Sequence, residues 1–264
     1  VIFDNLLGLG SGTDWQKEVL RTDAPIIQNN FSARGGSESV SYYLATGYTS
    51  QEGILYGEDK SFFDRFNFTT NVDVDLTDKL TARVYNTYSN EKGSGLGDVL
   101  FNALNMSPTT PVYDANGNFG ISNTITQEVK NPLAQISNSY NESNVNKITG
   151  KVELEYDVFK DFSITGRLGY NYVDIKDKSF SPLVYYGAGH NQTNALPDGS
   201  PIVSVDPATG ESTQTHNRVN EGSVEYFRYN FEVLGNYSFS VDNEHNFSVF
   251  AGFSMTKNTG QGLY

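Results

Sequence analysis

The sequence contains no cysteine, and among its 264 residues there are one tryptophan, two methionines and three histidines. Without cysteine, a disulfide scaffold, a thiol nucleophile and a cysteine-ligated metal are excluded. Basic residues are also few: 18 Lys and Arg stand against 31 Asp and Glu, for a formal net charge of −13. This balance argues against a nucleic-acid partner, which needs a basic patch. It also argues against adsorption to an anionic membrane surface through a polybasic segment.

Long hydrophobic runs are missing as well. No apolar run reaches the roughly 20 residues that a membrane-spanning helix needs, whereas a β-barrel strand needs only about 10 residues of alternating character. The chain begins at Val1 without a signal-like segment and stops just after a strand-like run. We therefore expect a piece of a longer protein. A low mean hydropathy of −0.45 with 13% aromatic residues suits strands with one wet and one apolar face, and it suits a secreted β-sandwich equally well.

The most informative pattern is alternation along the chain. In the segment from Phe62 to Leu76, apolar and polar side chains take turns, so one face of an extended strand is apolar and the other is charged. Seven further segments repeat the pattern, and they begin at Ile27, Val40, Leu80, Ile148, Phe162, Phe227 and Phe247. The sequence predicts about eight strands, several of them longer than the five or six residues usual in soluble sheets.

The connections between these strands alternate in length. Short polar turns are predicted at residues 37–39, 77–79, 159–161 and 242–244, and long connections at residues 51–61, 93–144 and 177–223. In an up-and-down arrangement, this places every tight turn at one rim and every long loop at the other, as in outer-membrane barrels. We predict an all-β, antiparallel up-and-down transmembrane β-barrel segment of about eight strands with long extracellular loops. As part of a larger barrel, it forms an open, curved sheet with two free edges.

Aromatic side chains near the strand ends favour two interfacial belts. We place Tyr43, Tyr48, Tyr88, Tyr170, Tyr172 and Tyr226 toward the long loops, and Phe159, Phe162, Tyr237, Phe239 and Phe247 toward the short turns. Tyr and Phe also form strands well, which is an alternative reason for their presence.

Two short helices are predicted within the long loop that follows the fourth strand. In residues 97–106, helical spacing places Val99, Leu100, Ala103 and Leu104 on one apolar face. The stretch Asn131-Pro132-Leu133-Ala134-Gln135-Ile136 predicts a turn or a second short helix.

Four segments taken together resemble a known family. They are GTDWQKEV at residues 12–19, QNNFSARGGSESVSYYLATGYTSQEG at residues 28–53, MSPTTPVYDANGNFG at residues 106–120, and NPLA at residues 131–134. In this order they are similar to the SusC-like branch (SusC/RagA family) of the TonB-dependent outer-membrane transporters of Bacteroidetes. The resemblance runs from about Gly12 to about Asn144, beyond which barrel patterning alone supports it.

The resemblance implies TonB-dependent import of an oligosaccharide, glycan or peptide across the bacterial outer membrane, with a SusD-like surface lipoprotein as partner. It implies a barrel of about 22 strands around a plug, embedded in outer-membrane lipid, with long loops extracellular and short turns periplasmic. Residues 1–264 are then a partial barrel domain that supplies roughly the second to ninth strands, without the plug, through which TonB acts, or the remaining strands. The resemblance also allows a homodimer of the full complex. The family's energy-coupling residues correspond to no position of this chain.

Residue types that could carry chemistry fit plainer roles. Oxygen side chains alternate in Asp114-Ala115-Asn116-Gly117-Asn118, as in half of a calcium loop, but Asn-Gly strongly favours a plain turn. His190, His216 and His245 show no zinc or triad spacing. The charged strand residues, Asp73, Asp75, Arg83, Glu153, Glu155 and Arg167, are typical of a water-facing wall rather than of a glycosidase pair. We predict no enzyme, no catalytic residue, no cofactor and no metal.

Five aromatic residues of the long loops are candidates for substrate or partner contact: Tyr113, Phe119, Tyr140, Tyr185 and Tyr186. They could stack on sugar rings, pack loop against loop, or contact the lipoprotein. Two alternatives to a transporter stay open. A secreted, soluble carbohydrate-binding β-sandwich would have shorter strands and mixed turn lengths at both ends. A passive porin or adhesin barrel would share the fold without energy coupling.

Overall fold

The computed structural model describes residues 12–57, 59–121, 129–188, 190–242 and 244–263, in which one sheet of eight antiparallel strands dominates. Its strands, in spatial order, are β1 (Ile26–Gly36), β2 (Val40–Glu52), β3 (Phe62–Thr77), β4 (Leu80–Ser94), β5 (Tyr140–Phe159), β6 (Phe162–Ser181), β9 (Arg218–Val241) and β10 (His245–Leu263). A separate hairpin, β7 (Val203–Val205) and β8 (Ser212–Gln214), lies in the connection between β6 and β9. The predicted eight strands and their up-and-down order are therefore confirmed.

The short turns lie where the sequence predicts them. Residues 37–39 join β1 to β2, where the backbone N–H of Ser37 donates to the carbonyl of Val40 over 2.7 Å. Residues 78–79 join β3 to β4, and residues 160–161 join β5 to β6. The turn at residues 242–244 joins β9 to β10, and its residue 243 lies outside the described residues. All four turns therefore lie at one end of the sheet, and the long connections lie at the other.

Cross-strand register separates an apolar face from a polar face. One row of directly opposed residues on the apolar face crosses the whole sheet: Gly35, Tyr42, Val72, Val84, Val152, Leu168, Phe231 and Met255. Side chains of this row from Val84 to Met255 are exposed. The neighbouring row on the polar face is Ser41, Asp73, Arg83, Glu153, Arg167, Glu232 and Ser254. Each strand thus contributes one side to an apolar surface and the other to a charged surface.

The longer strands continue beyond the alternating segments. On β5 the apolar face runs from Ile148 to Val158, whereas the strand itself begins at Tyr140. At about 3.3 Å per residue and a tilt of about 40°, this apolar run is roughly 25 Å tall, as in outer-membrane barrels. Above it the same face turns polar, with Asn146 opposite Asp174 and Asp174 opposite Glu225. Polar residues on both faces mean that the strand ends project past the apolar band.

An aromatic cluster marks the short-turn end of the apolar face. The ring centroids of Phe159 and Phe162 are 5.4 Å apart, and those of Phe159 and Tyr237 are 6.4 Å apart. The chain of rings continues from Tyr237 to Phe239 over 5.5 Å, and from Phe239 to Phe247 over 5.2 Å. The five aromatic residues predicted for this belt are therefore contiguous.

Tyr43 does not lie where the sequence predicts it. It is the fourth residue of β2 after the short turn, and it faces Arg34 and Asn71 across the neighbouring strands. Strand β2 begins at Val40, so Tyr43 lies in the half of the strand next to the short turn. Its opposed residues, Arg34 and Asn71, place it on the polar face. The prediction that it joins the long-loop belt is wrong.

Three short helices gather at the long-loop end: α1 (Trp15–Val19), α2 (Val99–Asn105) and α3 (Pro132–Ser137). They pack around a hydrophobic core to which Trp15, Val19, Val99, Ala103 and Ile136 contribute. We call this unit, residues 12–25, 53–57, 95–121 and 129–138, the loop cap. Among the described residues, no helix combines the length and the hydropathy required to cross a membrane.

Candidate functional site at the long-loop end

The polar face carries an ion-pair row across four neighbouring strands, β4, β5, β6 and β9. The Glu153 carboxylate accepts from Nη1 of Arg83 over 2.9 Å and from Nε of Arg167 over 2.7 Å. Arg167 in turn donates from Nη1 to Glu232 over 2.9 Å. The Glu153 side chain keeps 7% of its surface exposed. Positive and negative side chains therefore alternate along this row. Glu153 and Glu232 are both paired with arginine, so they do not form the pair of free carboxylates that a glycosidase needs.

The short helices of the loop cap are held together by side-chain hydrogen bonds, chiefly those of the buried amides of Asn102 and Asn131. Trp15, at the start of α1, donates from Nε1 to the carbonyl of Ser107 over 3.0 Å. Asn102, in α2, donates from Nδ2 to Oε1 of Gln135 over 2.6 Å, and its Oδ1 accepts from the backbone N–H of Lys130 over 3.1 Å. One side chain therefore connects α2 to α3 and to the segment before it.

Asn131 holds the other end of the loop cap. Its Oδ1 caps α3 by accepting from the backbone N–H groups of Leu133 and Ala134, and Pro132 follows at the first helical position. Its Nδ2 donates to the carbonyls of Val112 and Gly120. The predicted second helix is confirmed, and Asn131 ties it to the hairpin that precedes it.

Helix α2 is confirmed, but its buried face differs from the prediction. Val99 and Ala103 are buried as expected, together with Asn102. Leu100 and Leu104 are exposed, with 40% and 58% of their surface accessible. The polar Asn102 takes the buried place because its amide satisfies partners on α3, which an apolar side chain could not do.

Asp114 forms the turn that the sequence favours. Its carboxylate accepts from the backbone N–H of Asn118 and of Asn116, and these bonds lower the pKa of Asp114. Gly117 adopts a positive φ of 83°, which suits glycine in such a turn. The carboxylate oxygens are thus used by the turn itself.

A cleft separates helix α3 and the start of β5 from residues 182–186 and 192–194. We call it the cap cleft; its volume is about 360 Å³, within the range of small-ligand sites. Its lining includes Lys130, Gln135, Asn138, Tyr140, Tyr186 and Gln192. Of the described residues that line it, Lys130 alone carries a charge. At Asn141 and Ser179, the cap cleft adjoins a larger groove of about 630 Å³ along the tops of β5, β6 and β9.

Tyr186 lies on the wall of the cap cleft between two partners. The ammonium of Lys130 lies 5.0 Å from the centroid of its ring, and the His190 ring lies 5.6 Å away. Burial raises the pKa of Tyr186 to about 12. Burial also lowers the pKa of Lys130, against the opposing effect of the Asp98 charge.

The structure brings two of the five predicted contact residues together in this cleft, Tyr140 and Tyr186. Tyr140 packs edge-on against Phe180 at 5.7 Å and carries the Lys60 ammonium 4.2 Å from its ring centroid. Tyr113 and Phe119 stack on each other at 5.3 Å in a separate hairpin. Tyr185 does not line the cap cleft. Sequence reasoning missed Lys130 and Gln192, because no spacing pattern connects two residues 62 positions apart.

Histidines and acids form no metal centre in the part of the chain that the structure describes, where no group of three or more such side chains could hold an ion. His190 is buried in the loop that lines the cap cleft, whereas His216 precedes β9 and His245 begins β10. The three histidines therefore belong to separate parts of the fold.

The proteins named below, which are similar to this chain in sequence, are TonB-dependent receptors. No family model matches the chain. It is 26% identical over 259 residues to the TonB-dependent receptor P3 of Formosa agariphila, and this covers 92% of the chain. It is 27% identical over 169 residues to the TonB-dependent receptor SusC of Bacteroides thetaiotaomicron, and this covers 55% of the chain.

The fold is matched by a solved structure. The RagAB peptide transporter superposes with a TM-score of 0.71 over 95% of the chain, at 16% sequence identity. The chain spans 24% of the length of receptor P3 and 26% of the matched RagAB chain. The named relatives include SusC, and the solved structure is RagAB, so the resemblance to the SusC-like branch is confirmed.

Proposed function

We propose that this chain, a barrel segment of the SusC-like TonB-dependent outer-membrane receptors, forms part of the wall and of the outer cap of a nutrient importer. Its work is binding and passage rather than catalysis. Residues 1–264 form a partial barrel domain, and the plug, through which TonB acts, and the remaining strands come from the rest of the receptor. The substrate is an oligosaccharide or glycan, or a peptide.

The observation that carries the proposal is the pair of faces on a single sheet. The apolar row from Tyr42 to Met255 suits lipid, whereas the charged row from Asp73 to Glu232 suits a wet lumen or a plug. A soluble sandwich would bury its apolar faces against a second sheet. In the described residues, the side chains of this row from Val84 to Met255 are exposed, and no second sheet covers them.

The direction of the strands follows from the unequal connections. Barrels of the outer membrane have short turns on the periplasmic side and long loops outside. The loop cap and the cap cleft then lie on the cell surface, where a nutrient arrives. The aromatic cluster around Phe159 and Tyr237 lies at the periplasmic interface.

A partner surface is supported by the exposed apolar side chains of α2. Leu100, Phe101 and Leu104 are 40%, 52% and 58% exposed on a helix whose other side is buried. Exposed apolar groups that lie together are typical of interaction sites. We assign this surface to a SusD-like lipoprotein that closes over the long-loop end.

Substrate contact is assigned to the cap cleft and the groove that adjoins it. Tyr140 and Tyr186 line the cleft, and Tyr113, Phe119 and Tyr185 remain candidates for contacts elsewhere on the loops. Both carbohydrates and peptides use aromatic faces and amides as partners, so the cleft suits either class.

The proposal is tested by uptake in cells that express the full-length receptor with its lipoprotein. Fluorescent oligosaccharides and peptides are supplied as separate pools, with and without a functional TonB. We expect uptake of one pool that is lost without TonB. Uptake that continues at the same rate without TonB would instead establish a passive pore.

A further inference from the structure

Lys130 differs in its partners from five other lysines that the structure describes. Lys92, Lys147, Lys151, Lys176 and Lys178 each have a carboxylate oxygen within 3.3 Å. Lys130 donates instead to the neutral amide oxygen of Gln192 and lies over the Tyr186 ring. Among the described residues, no carboxylate lies within ion-pair distance of its ammonium. Lys60 is placed in a similar way, since its ammonium donates to the carbonyls of Ile136 and Ser137 and lies over the Tyr140 ring. Of the two, Lys130 is the one that lines the cap cleft.

Partial burial raises the cost of the charge on Lys130. The loop cap removes part of its water, which lowers its pKa although the Asp98 charge acts in the opposite direction. A cation whose loss of water is only partly offset by a neighbouring charge raises the free energy of the folded state. An anionic group that enters the cap cleft would supply that charge and recover the loss.

The other polar groups of the cap cleft leave hydrogen-bond donors available. The Gln135 side chain uses its oxygen to accept from Asn102, and the Gln192 side chain uses its oxygen to accept from Lys130. In both bonds the glutamine oxygen is the acceptor, so the Nε2 amide groups are not used in them. Two amide donors and an ammonium around one cleft are the groups that bind a carboxylate.

We propose that the cap cleft binds a carboxylate group of the imported nutrient, with Lys130 as its counter-ion and Gln135 and Gln192 as neutral donors. The carboxylate belongs either to an acidic sugar unit or to an acidic peptide side chain, since both offer the same planar pair of oxygens. This inference rests on the proposed function, because it assigns a substrate class to the same surface.

The test is equilibrium binding to the full-length receptor purified in detergent, measured by calorimetry. One arm compares tetragalacturonate with its fully methyl-esterified form. The other arm compares a capped tetrapeptide that contains one glutamate with its glutamine counterpart. Within each arm the two probes differ only in the carboxylate, and the arms separate the two sources of the acid.

We expect one acidic probe to bind about tenfold more tightly than its neutral counterpart. Lys130→Met and Lys130→Gln remove this preference, and Lys130→Arg retains most of it. Lys17→Met, which changes an exposed lysine of α1, is the matched control and leaves the preference unchanged. Two neutral variants are used so that a folding defect in one of them does not decide the result.

Equal affinity for the acidic and neutral probes in both arms overturns the proposal, and so does a preference that survives in both neutral variants. Equilibrium binding requires neither TonB nor a membrane. A failure in this experiment is therefore distinct from a failure of TonB-dependent uptake.

Discussion

Glu153 and Arg167 lie directly opposite each other on β5 and β6, with Oε2 and Nε 2.7 Å apart. On the other side, Arg83 of β4 donates to the second oxygen of the same carboxylate over 2.9 Å. A single acidic side chain thus bridges two arginines across three strands. The Glu153 carboxylate is nearly buried. Its removal leaves Arg83 and Arg167 without the partner that they share.

We predict that Glu153→Gln lowers the free energy of unfolding of the full-length barrel by roughly 2–4 kcal/mol. Glutamine has the same shape, so the loss reflects charge and hydrogen bonding rather than volume. The measurement is denaturant unfolding of the receptor in lipid vesicles.

Glu91→Gln is the matched control, since Glu91 pairs with the single, half-exposed Lys147 on the same face. Its cost is expected below about 1 kcal/mol. Equal losses for the two variants would show that the row around Glu153 has no special weight.

A charge introduced on the apolar face of β9 costs more unfolding free energy than one introduced on its polar face. Val233 belongs to the apolar face opposite Gly166, and Leu234 belongs to the polar face opposite Thr165. We predict that Val233→Arg costs roughly 2–4 kcal/mol of unfolding free energy in lipid, whereas Leu234→Arg costs less than about 1 kcal/mol. Reversed values, obtained by the same vesicle unfolding assay, would mean that the faces are assigned the wrong way round.

Asn102 is the central polar residue of the loop cap, with 2% of its surface exposed. We predict that Asn102→Leu destabilises the loop cap by about 1–3 kcal/mol, because the partners on Gln135 and Lys130 lose their hydrogen bonds. Faster hydrogen exchange in α2 and α3, with unchanged exchange in the sheet, is the expected readout. Asn105→Leu, on the exposed side of α2, leaves exchange in α3 unaltered; a uniform effect of both variants would argue against a hub at Asn102.

The pKa of Tyr186 provides a pH test. Burial raises it from 10.0 to about 12, so its contribution to cap stability is complete below pH 10 and is lost as the pH rises through about 12. In ultraviolet difference titrations of the wild type against Tyr186→Phe, we expect the missing tyrosinate transition near pH 12. A missing transition centred near pH 10 would show that the ring is in contact with solvent.

Sequence predicted the strands wherever their two faces differ in polarity. From Ile148 to Val158, apolar and polar residues alternate, and the predicted segment lies within β5. The first eight residues of β5, from Tyr140, were not predicted as strand because apolar and polar residues do not alternate regularly there. Their pairing with β6 is set by register alone, which no local pattern reveals.

The site was less predictable than the sheet. The sequence assigned each residue of the row from Asp73 to Glu232 to the water-facing side of its own strand. Which charges become neighbours, however, depends on the register of five strands. In α2, helical spacing gave Leu100 and Leu104 a buried place that Asn102 occupies. Lys130 and Gln192 meet only because two long loops fold against each other.

The central claim is that these strands cross the outer membrane with their long loops outside. It is tested most directly with single cysteines in a cysteine-free version of the full-length receptor, to which residues 1–264 contribute no cysteine. Ala208→Cys marks the loop beyond β7, and Asp78→Cys marks a short turn. With a polymer-coupled maleimide too large to pass the barrel, we predict that Ala208→Cys reacts in intact cells and that Asp78→Cys reacts only after the outer membrane is permeabilised. Reaction of Asp78→Cys in intact cells, with Ala208→Cys protected, would contradict the account.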